Sequence, residues 1–145
     1  MKIEKLTIYT DGGCEPNPGQ GAWAYMAINE YGHKENEEVG YGGYTTNNKM
    51  ELEAILQALK FAKDMEVSKV KIISDSQYAI NSLTIWGDKW EKTNYKGKKN
   101  VDAIKEIRSI LKTLNVDFEW VRSHTGDIFN EYVDGLCTEE MRKNL

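Results

Sequence analysis

The sequence predicts an α/β fold built on a mixed sheet, and three observations support this. Three apolar or alternating runs near the N-terminus are joined by short polar links, which is typical of an antiparallel meander. A strongly periodic helical stretch then lies between two apolar runs, which indicates a right-handed crossover between parallel strands. Two further helical periods, around Ile104 and Val133, supply helices to cover the sheet.

The first strand carries the residue around which the predicted site forms. Residues 6–10 are apolar and β-branched, and the run ends at Asp11, where two glycines are expected to turn the chain away. Residues 14–21 are dense in turn formers and predict a loop. A second strand follows over residues 22–29, with its side chains alternating between the two faces of the sheet.

A polar third strand leads into the longest helix of the chain. The strand passes Tyr41 at the expected sheet edge and is predicted to end at Gly42 and Gly43. Asn48 is the expected N-cap of the helix, because Glu51 follows it at the spacing of a capping box. The apolar side chains of this helix then recur at helical spacing: Leu52, Ile55, Leu56 and Leu59.

Asp75 repeats the arrangement of Asp11, since it too follows an apolar strand. Ligands of open α/β sheets bind at the carboxyl ends of the strands, so these two carboxylates predict one shared site. The remaining predicted elements are a strand over residues 70–74, a short helix over 76–83, a helix capped by Asn100, a strand over 118–121 and a final helix from Asn130.

Length and composition predict one domain over residues 1–145. The sequence shows no apolar run that could span a bilayer and no leader segment, so we expect a cytoplasmic protein. Cys14 and Cys137 have neither zinc-site spacing nor the density of a disulfide scaffold. The net charge of -4 argues mildly against a nucleic-acid partner, although cations bound by clustered acids would offset it.

Four acids on separate elements are candidates for a metal site: Asp11, Glu51, Asp75 and Asp134. Hard divalent cations prefer oxygen ligands, which such a cluster supplies. Each acid also has a structural explanation, because Glu51 fits a capping box, Asp134 lies in an early helical turn, and the other two fit caps or turns. His124 lies in a loop, where it is either a surface residue or a group for proton transfer.

The segment after the short helix mixes aromatic and basic residues without a clean period. Trp86 and Trp90 are four residues apart and could pack a helix onto the sheet. Lysines among aromatics also fit a surface that follows a nucleic-acid backbone. The basic residues of this segment are Lys89, Lys92, Lys96, Lys98 and Lys99.

Four short motifs occur in order along the chain. They are YTDGGC with NPG at residues 9–14 and 17–19, TTNNKMEL at 45–52, SDSQY at 74–78, and HTG at 124–126 with Asn130, Glu131 and Asp134. Taken together, these motifs resemble type 1 ribonuclease H of the ribonuclease H-like superfamily. They run from near the first residue to the last helix, and their shared order is more specific than any one of them.

The resemblance implies a five-stranded mixed sheet, with three antiparallel strands and then two parallel ones, flanked by four to five helices. It implies an endonuclease that cuts the RNA strand of RNA/DNA hybrids by two-metal-ion catalysis and leaves 5′-phosphate and 3′-hydroxyl ends. Two Mg²⁺ ions would bind with the substrate, and Mn²⁺ could substitute. The expected partner is the hybrid duplex, with no membrane and no obligate protein partner, and the chain is expected to be a monomer.

The resemblance also assigns roles to individual residues. Asp11, Glu51, Asp75 and Asp134 would be the metal-binding catalytic acids, and His124 would assist proton transfer or product release. Residues 86–99, here called the basic protrusion, would grip the DNA strand. The substrate-binding residues would be Cys14, Asn17 and Gln77 at the minor groove, Thr46 at a DNA phosphate, Asn47, and Trp86, Trp90, Lys92, Lys96, Lys98 and Lys99 of the basic protrusion.

Two other functions stay open from the sequence. One is a non-catalytic nucleic-acid-binding module of the same fold, although binding alone does not need four clustered acids. The other is a related nuclease or transposase-type enzyme that acts on DNA. Its site would also be built from carboxylates, so only its substrate would distinguish it, because function resides in the site and not in the fold.

Overall fold

A computed structural model describes residues 2–122 and 127–144. Its five strands form one sheet in the order β3-β2-β1-β4-β5. The first three strands pair antiparallel, and β4 pairs parallel with both β1 and β5, which confirms the predicted mixed sheet. The strands are β1 (Lys5–Glu15), β2 (Gly19–Asn29), β3 (Lys34–Thr45), β4 (Lys69–Ser74) and β5 (Val116–Trp120).

Helices cover both faces of the sheet, as predicted. The larger core joins Leu6, Ile8 and Tyr25 to the apolar stripes of the first and fourth helices. On the other face, Ala22 and Ala24 pack against the last helix. Within the described ranges, no helix is long and apolar enough to cross a bilayer. The helices are α1 (Asn47–Asp64), α2 (Gln77–Leu83), α3 (Ile85–Glu91), α4 (Val101–Leu111) and α5 (Ile128–Lys143).

The predicted strand ends at glycine pairs are wrong. Strand β1 continues through Asp11 and Gly12 to Glu15, and β3 continues through Gly42 to Thr45. The loop predicted over residues 14–21 is therefore reduced to the short turn between β1 and β2. Gly12 and Gly42 serve close packing, because a Cβ on Gly12 would lie 2.3 Å from the backbone of Met50 in α1 and a Cβ on Gly42 would lie 2.3 Å from the Met50 sulfur.

The predicted capping box of α1 is also wrong. Thr46 is the N-cap, with an extended backbone and a side-chain oxygen that accepts a hydrogen bond from the Lys49 amide at 3.2 Å. Asn48 lies inside the helix as its second residue. Glu51 is thus released from a capping role, and its side chain is buried at the start of the helix.

The N-cap residue of α4 agrees with the prediction, whereas the start of α5 and the presence of α3 do not. Asn100 is the N-cap of α4, as predicted, but its side-chain amide donates to the Tyr78 hydroxyl at 3.1 Å instead of capping the helix. Helix α5 begins at Ile128, because Asp127 accepts hydrogen bonds from the first free amides of the helix. Helix α3 was not predicted, since its seven residues carry no clean apolar period.

Candidate active site

Sheet register places two of the candidate acids next to each other. Parallel strands β1 and β4 pair Tyr9 with Ile73; Asp11 follows two residues later within β1, and Asp75 follows directly after the end of β4. Glu51 is supplied by the first turns of α1, which lie directly against β1 at Gly12. One carboxylate oxygen from each of the three acids lies within 4.8 Å of the other two.

The fourth acid borders the same cluster from the opposite helix layer. Asp134 lies in α5, and its carboxyl is within hydrogen-bonding reach of Asp11. The four acids line a cleft of about 410 Å³ at the edge of the sheet. The other residues that line it are Gly12, Gly13, Cys14, Asn47, Asn48, Ser76, Cys137 and Met141.

The acid cluster is electrostatically unfavourable without a cation. Burial, followed by the charges of Asp75 and Asp134, raises the pKa of Asp11 to about 8. Burial, followed by the charges of Asp11 and Asp75, raises the pKa of Glu51 well above its usual value. The backbone amide of Gly12 offsets only part of this effect at both carboxyls.

The donor set fits a hard divalent cation. Glu51 Oε1 is buried and has no hydrogen-bond partner within residues 2–122 and 127–144. An orphaned carboxylate oxygen beside two other carboxylates is the environment that Mg²⁺ or Mn²⁺ prefers, because these ions bind oxygen ligands. The cluster identified by geometry contains carboxylates alone, which argues against a zinc site of the usual nitrogen and sulfur ligands.

The structure brings together three of the residues predicted to bind substrate. The Cys14 amide donates to Asn47 Oδ1 at 2.8 Å, and the Cys14 thiol donates to Asn17 Oδ1 at 3.3 Å. The backbone amide of Asn47 in turn donates to Asn17 Oδ1 at 3.2 Å. Burial raises the pKa of the Cys14 thiol, so it stays protonated and able to donate. Gln77, at the start of α2, is exposed close to Asp75.

The basic protrusion consists of α3 and the turns that follow it. The rings of Trp86 and Trp90 are 5.7 Å apart, and Lys98 Nζ lies 5.1 Å from the centre of the Trp90 ring. Trp90 also packs against the main core, which confirms that at least one of the two tryptophans is structural. The other predicted basic contacts, Lys92, Lys96 and Lys99, are exposed.

Two contacts at the site were not predicted. The indole N–H of Trp120 donates to the backbone oxygen of Asp75 at 3.0 Å, and the thiol of Cys137 donates to the backbone oxygen of Asp11 at 3.4 Å. The signal for Trp120 was its place at the end of β5, where it pairs with Ser74 of β4. His124 lies outside the described residues.

A five-stranded mixed sheet of this order, with acids from β1, α1 and the end of β4 in one cleft, defines a ribonuclease H-like protein. The RNase H family model matches residues 3–142, and the chain belongs to the ribonuclease H family. The prediction of a ribonuclease H enzyme is thereby confirmed.

Curated relatives match along nearly their full length. Ribonuclease H of Campylobacter concisus is 40% identical over 143 residues, covering 99% of this chain and 95% of that protein. A Campylobacter jejuni Ribonuclease HI is 39% identical over 143 residues, covering 97% and 94%. Ribonuclease H of Acetivibrio thermocellus is 37% identical over 148 residues, covering 98% of each.

Solved structures agree with the fold. The N-terminal RNase H domain of a Mycobacterium tuberculosis protein, fused to maltose-binding protein, gives a TM-score of 0.79 at 19% identity, covering 97% of this chain and 95% of that one. LC11-RNase H1, solved in complex with an RNA/DNA hybrid, gives a TM-score of 0.76 at 25% identity, covering 96% and 98%.

Proposed function

We propose that the chain is an endonuclease that hydrolyses the RNA strand of RNA/DNA hybrids. The observation that carries the proposal is the cluster of Asp11, Glu51 and Asp75, of which one oxygen each lies within 4.8 Å of the others in a cleft at the ends of β1 and β4. Membership of the ribonuclease H family and the hybrid bound to the similar LC11-RNase H1 support the choice of substrate.

Asp11, Glu51, Asp75 and Asp134 are the residues that we propose to hold two Mg²⁺ ions, with Mn²⁺ as a substitute. The ions would lower the pKa of the attacking water and stabilise charge on the scissile phosphate. Hydrolysis breaks the bond between phosphorus and the 3′-oxygen of the RNA, so the products carry 5′-phosphate and 3′-hydroxyl ends. The leaving oxygen needs a proton, and we propose that His124 supplies it or helps the product leave.

Recognition of the RNA strand is assigned to the polar groups beside the acids. Hybrids expose the ribose 2′-hydroxyls in a wide, shallow minor groove, where short polar side chains can reach them. Cys14, Asn17 and Asn47 form one hydrogen-bonded group next to Asp11, and Gln77 is exposed two residues after Asp75. This arrangement supports reading of the minor groove on both sides of the cut.

Contacts with the DNA strand are assigned to Thr46 and the basic protrusion. The Thr46 oxygen accepts the Lys49 amide, which leaves its hydroxyl proton free to donate to a phosphate. The lysines of the basic protrusion are exposed and supply the positive charge that phosphate contacts require. Phosphate contacts fix the register of a duplex without reading its sequence.

The remaining sequence predictions belong to the same proposal. Residues 1–145 would act as one catalytic domain, as a monomer without an obligate protein partner. The cytoplasm remains the compartment that we expect from the sequence.

The decisive experiment compares cleavage of an end-labelled RNA/DNA hybrid with matched RNA/RNA and DNA/DNA duplexes. Each duplex is incubated with Mg²⁺, with Mn²⁺ and with chelator, using the natural chain, Asp75→Asn and the control Asp64→Asn. Asp64 is exposed at the last residue of α1, at the opposite end of the helix from Glu51, and matches the chemistry of the substitution. Phosphatase and ligase treatment of the products identifies their end groups.

We expect metal-dependent cutting of the hybrid alone, lost in Asp75→Asn and retained in Asp64→Asn. Hybrid binding without cutting would instead support the non-catalytic module. Preferential cutting of the DNA/DNA duplex would support a DNA-directed nuclease or transposase-type enzyme.

A further inference from the structure

One buried cation lies beneath the basic protrusion and belongs to a different element. Arg108 is in α4, and its side chain is only 12% exposed. Its guanidinium donates to the backbone oxygens of Leu83 at 2.9 Å and Thr84 at 3.5 Å, where α2 ends. Exposed helix-end carbonyls carry partial negative charge, so a cation stabilises them.

The same guanidinium reaches forward into the basic protrusion. It donates to Asp88 Oδ1 at 2.8 Å and lies 3.7 Å from Glu91 Oε2, and both acids are in α3. Gly87 is packed against the guanidinium, since a Cβ there would lie 2.4 Å from Arg108 Nη1. One side chain therefore joins α4 both to the end of α2 and to α3.

Besides Arg108, helix α3 is held by α2 and by Trp90, which packs against the main core. Among the described elements, α3 makes extensive contacts only with α2, which is itself seven residues long. Trp86 and Trp90 of α3 pack on each other, and Lys98, in the turns that follow α3, lies over the Trp90 ring. The orientation of the lysines thus depends on how firmly α3 is joined to α4.

We propose that Arg108 is a positioning residue for substrate binding, which holds the basic protrusion in the orientation that presents its lysines to the nucleic-acid backbone. The inference rests on the proposed function, because it assumes that this surface binds the hybrid. A planar guanidinium can serve several acceptors at fixed angles, and a lysine ammonium cannot reproduce that geometry. Arg108 itself is buried and makes no contact with the substrate.

The test is a comparison of Arg108→Met with Lys112→Met. Both variants remove one positive charge from α4, but Lys112 is exposed and has only a 3.9 Å contact with Glu91. We measure KM and kcat on the hybrid in Mg²⁺, and the dependence of hybrid affinity on salt in Ca²⁺ or chelator. Thermal unfolding identifies a temperature at which every variant is folded.

For Arg108→Met we expect KM to rise roughly tenfold while kcat at saturation stays within about twofold, because contacts to the backbone are weakened and the acids are unchanged. The slope of log affinity against log salt should fall by about 1 to 2, which corresponds to one or two lost phosphate contacts. Lys112→Met should leave KM and the slope close to those of the natural chain.

A double-mutant cycle separates positioning from general stability. Lys98→Met should weaken binding in the natural chain but have little further effect in Arg108→Met, because the lysine is then already misplaced. A purely structural Arg108 would leave the effect of Lys98→Met intact. Gly87→Ala is the second variant: it changes no charge but displaces α3 from Arg108, and we expect the same rise in KM.

The outcomes distinguish this inference from the proposed function. If the natural chain cleaves the hybrid and neither Arg108→Met nor Gly87→Ala changes KM or the salt slope, the inference is wrong while the proposed function stands. If Arg108→Met does not fold, Gly87→Ala decides alone. If the natural chain does not cleave the hybrid, the proposed function fails, and reduced hybrid binding by both variants would still support the positioning role.

Discussion

Replacing Asp11 by asparagine should stabilise the metal-free protein at neutral pH. Asp11 is 6% exposed, and its burial, followed by the charges of Asp75 and Asp134, raises its pKa from 3.8 to about 8. Between these two values, the unfolded chain carries a charged Asp11 while the folded chain carries a neutral one. Asparagine is an uncharged side chain of nearly the same shape, so it avoids the cost of keeping this carboxyl protonated.

The size of the effect follows from proton linkage. The folded state binds more protons than the unfolded state, so the free energy of unfolding falls by about 1.4 kcal/mol per pH unit between pH 4 and 8. From the unfolded pKa of 3.8 to pH 7, this amounts to about 4 kcal/mol for Asp11. Below pH 4 both states are protonated and the contribution disappears.

The assay is urea unfolding in chelator at several pH values between 4 and 8. We expect the free energy of unfolding of Asp11→Asn to exceed that of the natural chain by roughly 2–4 kcal/mol at pH 7, and the two to be equal near pH 4. Added Mg²⁺ should reverse the order, because the natural chain gains stability by binding the ion. Asp64→Asn is the control and should change stability little at any pH. Equal stabilities of Asp11→Asn and the natural chain at pH 7 in chelator would refute the reasoning.

Three further outcomes can be measured directly. Gly12→Ala should destabilise the chain by about 1–3 kcal/mol in urea unfolding, because its methyl group would collide with the backbone of Met50. Thr46→Ala should lower the free energy of unfolding by about 1 kcal/mol, because Thr46 is the N-cap of α1. Asn48→Ala should lower it much less, because Asn48 lies inside the helix. Hybrid affinity should fall steeply with salt in a binding titration, and Lys98→Met should reduce the slope by about 1.

The fold was predictable because its strongest signals are periodic. The stripe of α1 and the apolar runs of β1 and β4 specify the crossover, and the alternation in β2 correctly assigns Tyr25 and Ala24 to opposite faces. The strand ends were predicted wrongly for a physical reason. A glycine pair permits either a turn or close packing, and which one occurs at Gly12 depends on α1, which lies elsewhere in the sequence.

The acids, and a site shared by Asp11 and Asp75, could be proposed from the sequence, but the place of Glu51 in that site could not. Two carboxylates after apolar strands suggested a shared edge, and the register of β1 with β4 accounts for it. Glu51 had an equally good local explanation, which only the position of Thr46 as the N-cap removes. Arg108 gave a weak signal, a lone cation four residues after Ile104 on an apolar stripe, and its acceptors lie about twenty residues earlier in the chain.

The close backbone contact between β1 and α1 at Gly12 limits how substitutions elsewhere in the chain can alter the site. Gly12 meets the main chain of Met50, so the separation of β1 from the first turn of α1 is set by backbone atoms. Substitutions among the leucines and isoleucines further along α1 can alter the volume of the core without altering that separation. Substitutions in the core therefore do not change the spacing of Asp11 and Glu51. Sequences with very different interiors can keep the same distance between these two acids.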